Sequence, residues 1–245
     1  SEKMFDQIVV RHPEDYQEQE HIGSLLFEID KVITLNHRIN GELEAMAKLV
    51  YDYWFVQFDF PISAEQARRM GKPELAGKPY KASGGPMVHN AELKREVPEG
   101  WEVTELRKYI DSNRGHSYTG ADLKDSGMPL INLNSFNTNS TYKHEGLKRY
   151  AGPLNRSKTL KPLDLVMCNT QQTALDAAKD IIGKSFLVPD VFDQEIVSSH
   201  HVTTIQVSKK DLKYYLNSLF GTDYFHRYIS GYCTGTNILG LNFDG

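Results

Sequence analysis

The chain has 245 residues, a formal net charge of −4 and two cysteines. This length allows one large domain, or one ordinary domain with an extended element. Cys168 and Cys233 lack CxxC spacing and paired histidines, which argues against a disulfide framework and a zinc site. Because the sequence has neither a long apolar run nor a basic segment leading into an apolar one, we expect no membrane span and no signal peptide. We therefore predict a cytoplasmic protein.

The charge is uneven along the chain. Residues 1–100 hold more acidic than basic side chains, whereas residues 143–184 hold eight Lys and Arg against four Asp and Glu. A local basic surface is what contact with phosphates requires, although many globular domains carry such a patch by chance.

The segment from Ile22 to Gln57 carries apolar side chains in rows spaced by seven residues. With no proline inside, it predicts a helix of about 36 residues, which is much longer than an ordinary globular helix. A long apolar stripe needs a partner helix of similar length, because packing supplies most of a helix's stability. We predict that the partner contacts Ile22, Leu25, Leu26, Ile29, Val32, Ile33, Ile39, Leu43, Met46 and Val50.

The segments on either side of this helix differ from it. Ile8–Val10 could form a strand end, and Pro61 predicts that the helix stops near Gln57. The aromatic residues of its last turns predict a core that anchors it to the neighbouring domain. Residues 61–100 are rich in Pro and Gly and predict a connector loop with a short helix at Ala64–Met70. Residues 1–60 are thus the helical region with its lead-in.

Residues 101–245 predict one mixed α/β domain of ordinary size. Helical spacing of apolar residues is clearest over Lys209–Ile229. The predicted fold class is α+β, with a long coiled-coil-type helix joined to a mixed α/β domain that contains a twisted sheet. The predicted strands, short and bounded by turn-forming residues, are Met128–Leu133, Asp164–Cys168, Ile181–Val188 and His201–Val207.

Several segments together carry a resemblance to a known family. In the first half they are LNHRINGELEAMAKLVYDYWFVQFDFP (Leu35–Pro61), GKPYKASGGPMV (Gly77–Val88) and LKREVPEGWEV (Leu93–Val103). In the second half they are Gly127–Leu133, Lys161–Val166, Ile182–Val188 and Thr234–Asn242. With these segments the chain resembles the specificity (S) subunits of type I restriction-modification enzymes.

The resemblance implies a function. Residues 101–245 would be a target-recognition domain that binds double-stranded DNA and reads one half-site. The helix would be a spacer that docks the methyltransferase (modification) subunit, which brings S-adenosylmethionine and performs DNA methylation, and a restriction subunit would cleave. The chain itself would be non-catalytic and would bind no cofactor or metal. A full-length family member has two recognition domains and two such helices, whereas this chain matches one of each.

A search for catalytic motifs agrees with a non-catalytic subunit. The sequence has no Asn-Pro-Pro-Tyr or Asp-Pro-Pro-Tyr, no GxGxxG, no Walker loop and no Gly-x-Ser-x-Gly. Ser198, Ser199, His200 and His201 superficially resemble a catalytic cluster. Adjacent residues of a strand point to opposite faces, so we expect that the two histidines cannot serve one site.

Reading DNA requires amides and cationic groups at base edges, with further cations on phosphates. Asn, Thr and Ser also mark turns, and a surface lysine is often merely solvated, so each residue has an alternative explanation. The candidates for DNA binding are Arg114, His116, Asn132, Asn134, Lys143, Lys158, Asn169, Gln171, Gln172, Lys179, Lys184, His200, Thr236 and Asn237.

A second hypothesis is a coiled-coil interaction or adaptor protein whose α/β domain binds protein. The acidic first half favours it, and scattered basic residues on the domain would support it. Because the second helix of the family is missing, the stripe also predicts an antiparallel homodimer through the long helix in isolation, since it would otherwise leave a large apolar patch in water.

Overall fold

A computed structural model describes residues 7–80, 86–171, 180–235, 239–241 and 243, without the side chains of residues 79 and 80. The chain divides into two compact units, residues 1–84 and residues 85–245. Among the described residues, no helix is long and apolar enough to cross a lipid bilayer.

The first unit is dominated by helix α1, Tyr16–Tyr51, which has 36 residues. At about 1.5 Å per residue it is about 54 Å long. It begins earlier than the apolar pattern, since Asp15 caps it by accepting a hydrogen bond from the backbone N–H of Gln17. It continues into a π-helical turn at Asp52–Val56. The predicted long helix is confirmed. It begins before Ile22 because its first turns are polar and carry no apolar periodicity.

The apolar stripe of α1 is uncovered. Every residue from Glu20 to Val50 is exposed, and the ten residues predicted to meet a partner helix keep 41–60% of their surface accessible. Nothing in the described part of the chain packs along this stripe. Ile8–Val10, for which we expected a strand end, is not in a strand.

The aromatic end of α1 forms a small core. The rings of Trp54 and Phe60 meet edge to face at 4.8 Å between centroids. Phe58, at φ 55°, turns the chain away from the helix, and its side chain is buried. The buried residues of this core are Tyr51, Phe58, Ile62 and Ala67.

Short elements complete the first unit. Strand β1, Phe60–Pro61, pairs antiparallel with β2, Pro79–Tyr80. Between them lies α2, Ala64–Arg69, in which Ser63 and Gln66 form a reciprocal capping box. The short helix predicted here is therefore confirmed.

The predicted connector contains a hairpin that the sequence did not reveal. Strand β3, Met87–Asn90, pairs antiparallel with β4, Arg95–Pro98. The Asn90 side chain closes the turn by accepting from the backbone N–H groups of Glu92 and Leu93. Flanking prolines and polar residues hide the alternation that usually marks a strand.

Two four-stranded sheets build the second unit. Their strands are β5 Ile110–Arg114, β6 Leu123–Ile131, β7 Lys148–Tyr150, β8 Thr159–Leu160, β9 Leu165–Cys168, β10 Ser185–Leu187, β11 Ile196–Ser198 and β12 Val202–Val207. In the first sheet the strands run in the order β10, β9, β12, β5, and all neighbours are antiparallel. In the second sheet the order is β7, β6, β11, β8, and β6 and β11 are parallel.

The main core of this unit combines both sheets. Val166, Phe186 and Val202 of the first sheet join Ile131 and Ile196 of the second in one buried cluster. All four predicted strands have an observed counterpart in β6, β9, β10 and β12. The predicted fold class, a long helix joined to a mixed α/β domain, is confirmed.

The predicted helix at Lys209–Ile229 is two helices. Helix α3, Leu212–Phe220, is separated from α4, Asp223–Ser230, because Thr222 caps α4 by accepting from the backbone N–H of Phe225. Leu216 and Phe220 of α3 pack with strand residues of the first sheet. Beyond them, β13 Cys233–Thr234 pairs with β14 Gly240–Leu241.

Candidate nucleic-acid interface

The carboxyl ends of four strands meet in the second unit. Just after β11, the backbone N–H of Ser199 donates to the carbonyl of Ile131, the last residue of β6, at 2.8 Å. The N–H of His116, beyond β5, donates to the carbonyl of Ser198 at 2.7 Å. The N–H of Asn169, beyond β9, donates to the carbonyl of His201 at 3.0 Å. We call this meeting point, Arg114–His116, Ile131–Asn132, Asn169 and Ser198–Val202, the strand-end junction.

Gly115 allows the strands to approach this closely. A Cβ atom at this position would lie 2.3 Å from the carbonyl oxygen of Ser199 and 2.4 Å from that of Ser198. Its own N–H donates to the carbonyl of Val202 at 3.0 Å. The junction therefore requires glycine for lack of space, a requirement that the sequence alone does not show.

Two cationic side chains brace the junction. Nε of Arg114, an exposed residue, donates to the carbonyl of His200 at 2.9 Å. Nζ of Lys158 donates to the carbonyl of Gly115 at 3.0 Å. Each bond uses one donor of a group that carries several, since a guanidinium has five N–H donors and an ammonium three.

The histidines of the junction favour their neutral form. Burial lowers the pKa of His116, and the charge of Lys158 lowers it further. Burial also lowers the pKa of His200, as do the charges of Arg114 and Lys158, against a backbone hydrogen bond of His116. The charged side chains that shift these two pKa values, Arg114 and Lys158, are both cationic.

The two adjacent histidines lie together, contrary to expectation. Their ring centroids are 3.8 Å apart, because His200 and His201 occupy the turn between β11 and β12, where strand alternation does not apply. The hydroxyl of Thr170 lies 3.0 Å from Nδ1 of His201. Burial lowers the pKa of His201, followed by the charges of His200 and Arg114.

Two predicted DNA-binding residues are used by the fold instead. The amide of Asn132 is buried and donates to the carbonyls of Leu130 and Gly146. Asn169, 1% exposed, donates to the carbonyl of His200 and to the hydroxyl of Thr203.

Lys184 is only 7% exposed. Burial lowers its pKa, while the charge of Asp223 raises it. Asn132 and Asn169 are therefore not retained as DNA contacts, because their buried amides bond within the fold, and Lys184 is not retained because it is a buried residue.

Other candidates lie on the segment that follows β6. Asn134 and Lys143 are exposed, and the backbone N–H of Lys143 donates to the carbonyl of Ser135 at 2.9 Å. Asn132 positions this segment by accepting from the N–H of Asn134. Asn134 and Lys143 are therefore exposed polar residues on the segment that leaves the junction at Asn132.

The remaining candidates fall elsewhere. Gln171 is half-buried, and its side-chain oxygen accepts from the backbone N–H of Leu239 at 3.3 Å. Gln172, Lys179, Thr236 and Asn237 lie outside the described residues. Sequence reasoning missed Asn155, whose backbone contacts His116, and Gly115, for which no sequence signal exists. Among the described residues, no group of three or more His, Cys, Asp or Glu could hold a metal ion.

The chain is similar to solved S-subunit structures. A type I restriction-modification S subunit from M. genitalium is 12% identical, with a TM-score of 0.35, over 56% of this chain and 30% of that one. The HsdS subunit from Thermoanaerobacter tengcongensis is 13% identical, with a TM-score of 0.37, over 92% and 46%. A third structure, whose subject is the complex assembly and conformational transition of the type I R-M system, is 13% identical. Its TM-score is 0.39, and the match covers 84% of this chain and 42% of that one.

This chain spans less than half the length of each of these solved chains. No family model matches the chain, and no curated protein matches it.

Proposed function

We propose that this chain is a DNA-recognition subunit, or part of one, in a type I restriction-modification complex. The observation that carries the proposal is the convergence of Arg114 and Lys158 on the strand-end junction, where the charged groups acting on His116 and His200 are cationic. Phosphates are attracted to such a surface, and phosphate contacts fix the position of a protein on the duplex.

Base reading is assigned to the accessible polar side chains around the junction. Arg114 can make a two-point contact with guanine, and Asn134 a two-point contact with adenine. Lys158 and Lys143 contact phosphates in this arrangement. The candidates outside the described residues, Gln172, Lys179, Thr236 and Asn237, remain proposals on sequence grounds alone.

Helix α1 serves as the spacer and docking element. Its exposed stripe requires a partner, which is a second long helix, either from a further part of the subunit or from a second copy in a homodimer. The methyltransferase subunit docks on this helical region and supplies S-adenosylmethionine and the active site. A restriction subunit supplies cleavage, so this chain is non-catalytic.

A salt-dependent DNA-binding assay of the assembled complex with its methyltransferase subunit tests the proposal. Arg114→Met should weaken binding and relax the preference at one base position, by about 1–3 kcal/mol. Lys158→Met should weaken binding to all sequences alike and reduce the slope of log K against log salt by about 1.

Lys108→Met is the matched control, because Lys108 is exposed and precedes β5 at the end opposite to Arg114. Its binding and salt slope should equal those of the unchanged complex. Equal affinity of that unchanged complex for all duplex sequences would overturn the proposal.

A further inference from the structure

A polar cavity of about 360 Å³ lies in the second unit, apart from the junction contacts described above. Its lining includes Asn113 of β5 and Thr204 of β12, which are directly paired across the two strands. Lys210 and Lys213, before and within the first turn of α3, also line it. Its volume is in the range of small-molecule sites, about 300–1,000 Å³.

The chemistry of the lining selects a hydrophilic ligand. Hydroxyl groups come from Ser157, Thr159 and Thr204, and carboxamides come from Asn113 and Gln206. Asn113 also donates through Nδ2 to the carbonyl of Ser157 at 2.6 Å, which ties two walls of the cavity together. Such groups bind a ligand that offers several hydroxyl or ether oxygens, and they disfavour an apolar one.

The charges of the lining select an anion. The lining contains two cationic residues, Lys210 and Lys213, and one acidic residue, Asp164. The Asp164 carboxylate is engaged within the fold, because it accepts from the backbone N–H of Lys161 at 2.8 Å. Nζ of Lys213 donates to the carbonyl of Leu163 at 3.1 Å, which positions the ammonium and uses one of its three donors.

Leu163, which also lines the cavity, has an unusual backbone conformation. Its φ of 66° lies in the left-handed region, which is uncommon for a residue with a bulky side chain. Its N–H donates to the carbonyl of Val188 at 2.8 Å, and its carbonyl receives Lys213. Conformations of this kind cost free energy and persist where the surroundings hold them, often at ligand sites.

We propose that this cavity binds a sugar phosphate. Lys210 and Lys213 hold the phosphate, and the amides and hydroxyls of Asn113, Thr204 and Gln206 hold the sugar. The ligand is either a free nucleotide or one sugar-phosphate unit of a DNA strand, since both present the same chemistry. The site does not depend on the DNA-recognition proposal, because it can be measured without DNA.

Calorimetric titration of the full chain with inorganic phosphate, ribose 5-phosphate and deoxyadenosine 5′-monophosphate tests this site. Both sugar phosphates should bind saturably and more tightly than inorganic phosphate. The double variant Lys210→Met/Lys213→Met should weaken their binding by about tenfold or more. Lys209→Met is the matched control, because Nζ of Lys209 lies over the ring of Tyr109 and Lys209 does not line the cavity.

A second variant separates sugar from phosphate recognition. Thr204→Val removes one lining hydroxyl without changing charge, and should weaken ribose 5-phosphate by about fivefold while leaving inorganic phosphate unchanged. Absence of saturable binding of either sugar phosphate to the folded chain would overturn the proposal. So would an equal loss of binding in Lys209→Met.

Competition with duplex DNA then identifies the source of the ligand. Displacement of bound deoxyadenosine monophosphate by duplex supports a unit of the DNA backbone as the occupant. Simultaneous binding of nucleotide and duplex supports a free nucleotide. If the variants abolish nucleotide binding but the complex still prefers a DNA sequence, the site and the DNA-recognition proposal are shown to be separate.

Discussion

The backbone N–H of Asn155 donates a hydrogen bond to Nε2 of His116 over 3.0 Å. In the neutral ring this places the proton on Nδ1. Nδ1 is itself buried without a hydrogen-bond partner in the described structure. Burial disfavours the charged ring, and protonation would also place a charge beside Lys158 and break the bond to Asn155, which is why the neutral form is favoured.

This relationship predicts a loss of stability in acid. Above the ordinary pKa of 6.5 for histidine, the folded and unfolded states are both neutral at His116. Below it, the unfolded chain binds a proton that the folded chain resists, because the folded pKa is lowered. The free energy of unfolding should therefore fall as the pH drops below 6.5, by at most about 1.4 kcal/mol per pH unit for this group.

Urea denaturation at several pH values between 5 and 8 would measure this effect. His116→Gln should flatten the acid slope, since a glutamine oxygen can accept from Asn155 without titrating near neutrality. His89→Gln, at an exposed histidine of β3, should leave the slope as it is. An unchanged slope in His116→Gln would contradict this account of the junction.

Asn169→Ala should destabilise the second unit without removing an accessible DNA contact. The substitution removes the donor that serves the hydroxyl of Thr203 at 2.9 Å and one of two donors to the carbonyl of His200, which keeps its bond from Arg114. An unpaired buried polar group costs about 1–3 kcal/mol. Chemical denaturation should show this loss, whereas Gln194→Ala, at an exposed position, should change stability by less than about 0.5 kcal/mol.

Gly115→Ala should disrupt the junction through lack of space. The added methyl would meet two backbone carbonyl oxygens, those of Ser198 and Ser199, that belong to paired segments and cannot turn aside. We expect a loss of about 2–3 kcal/mol in the free energy of unfolding. Gly120→Ala is the comparison, because nothing lies within 4 Å of its added Cβ. Equal melting temperatures of the two variants would show that the strands can separate freely.

Negative charge introduced into the apolar stripe of α1 should abolish self-association. In the isolated chain, Ile29→Glu/Val32→Glu places two carboxylates in the exposed stripe, where helix pairing would desolvate them. Light scattering should show a dimer for the unchanged chain and a monomer for this variant. Arg38→Glu, on the opposite side of the helix by its spacing, should remain dimeric. A monomeric unchanged chain at high concentration would overturn the homodimer proposal.

Regular spacing made α1 predictable, whereas tertiary contacts decided the candidate site. A period of seven over many residues leaves few alternatives to a long helix. An asparagine that reads a base and one that holds a neighbouring strand have the same sequence signal, so the burial of Asn132 and Asn169 could not be foreseen. The break between α3 and α4 depends on one capping threonine, Thr222, within an apolar pattern that continues on both sides.

The π-helical turn at Asp52–Val56 lies where the apolar stripe of α1 ends and the aromatic core begins. The N–H of Gln57 donates to the carbonyl of Asp52, five residues back, so one extra residue is accommodated and the rows of seven lose their phase there. The aromatic core, which includes Tyr51 before this turn and Phe58 after it, is thus shifted in phase from the stripe. A heptad inserted into the middle of α1 would lengthen it by about 10 Å and leave that core intact.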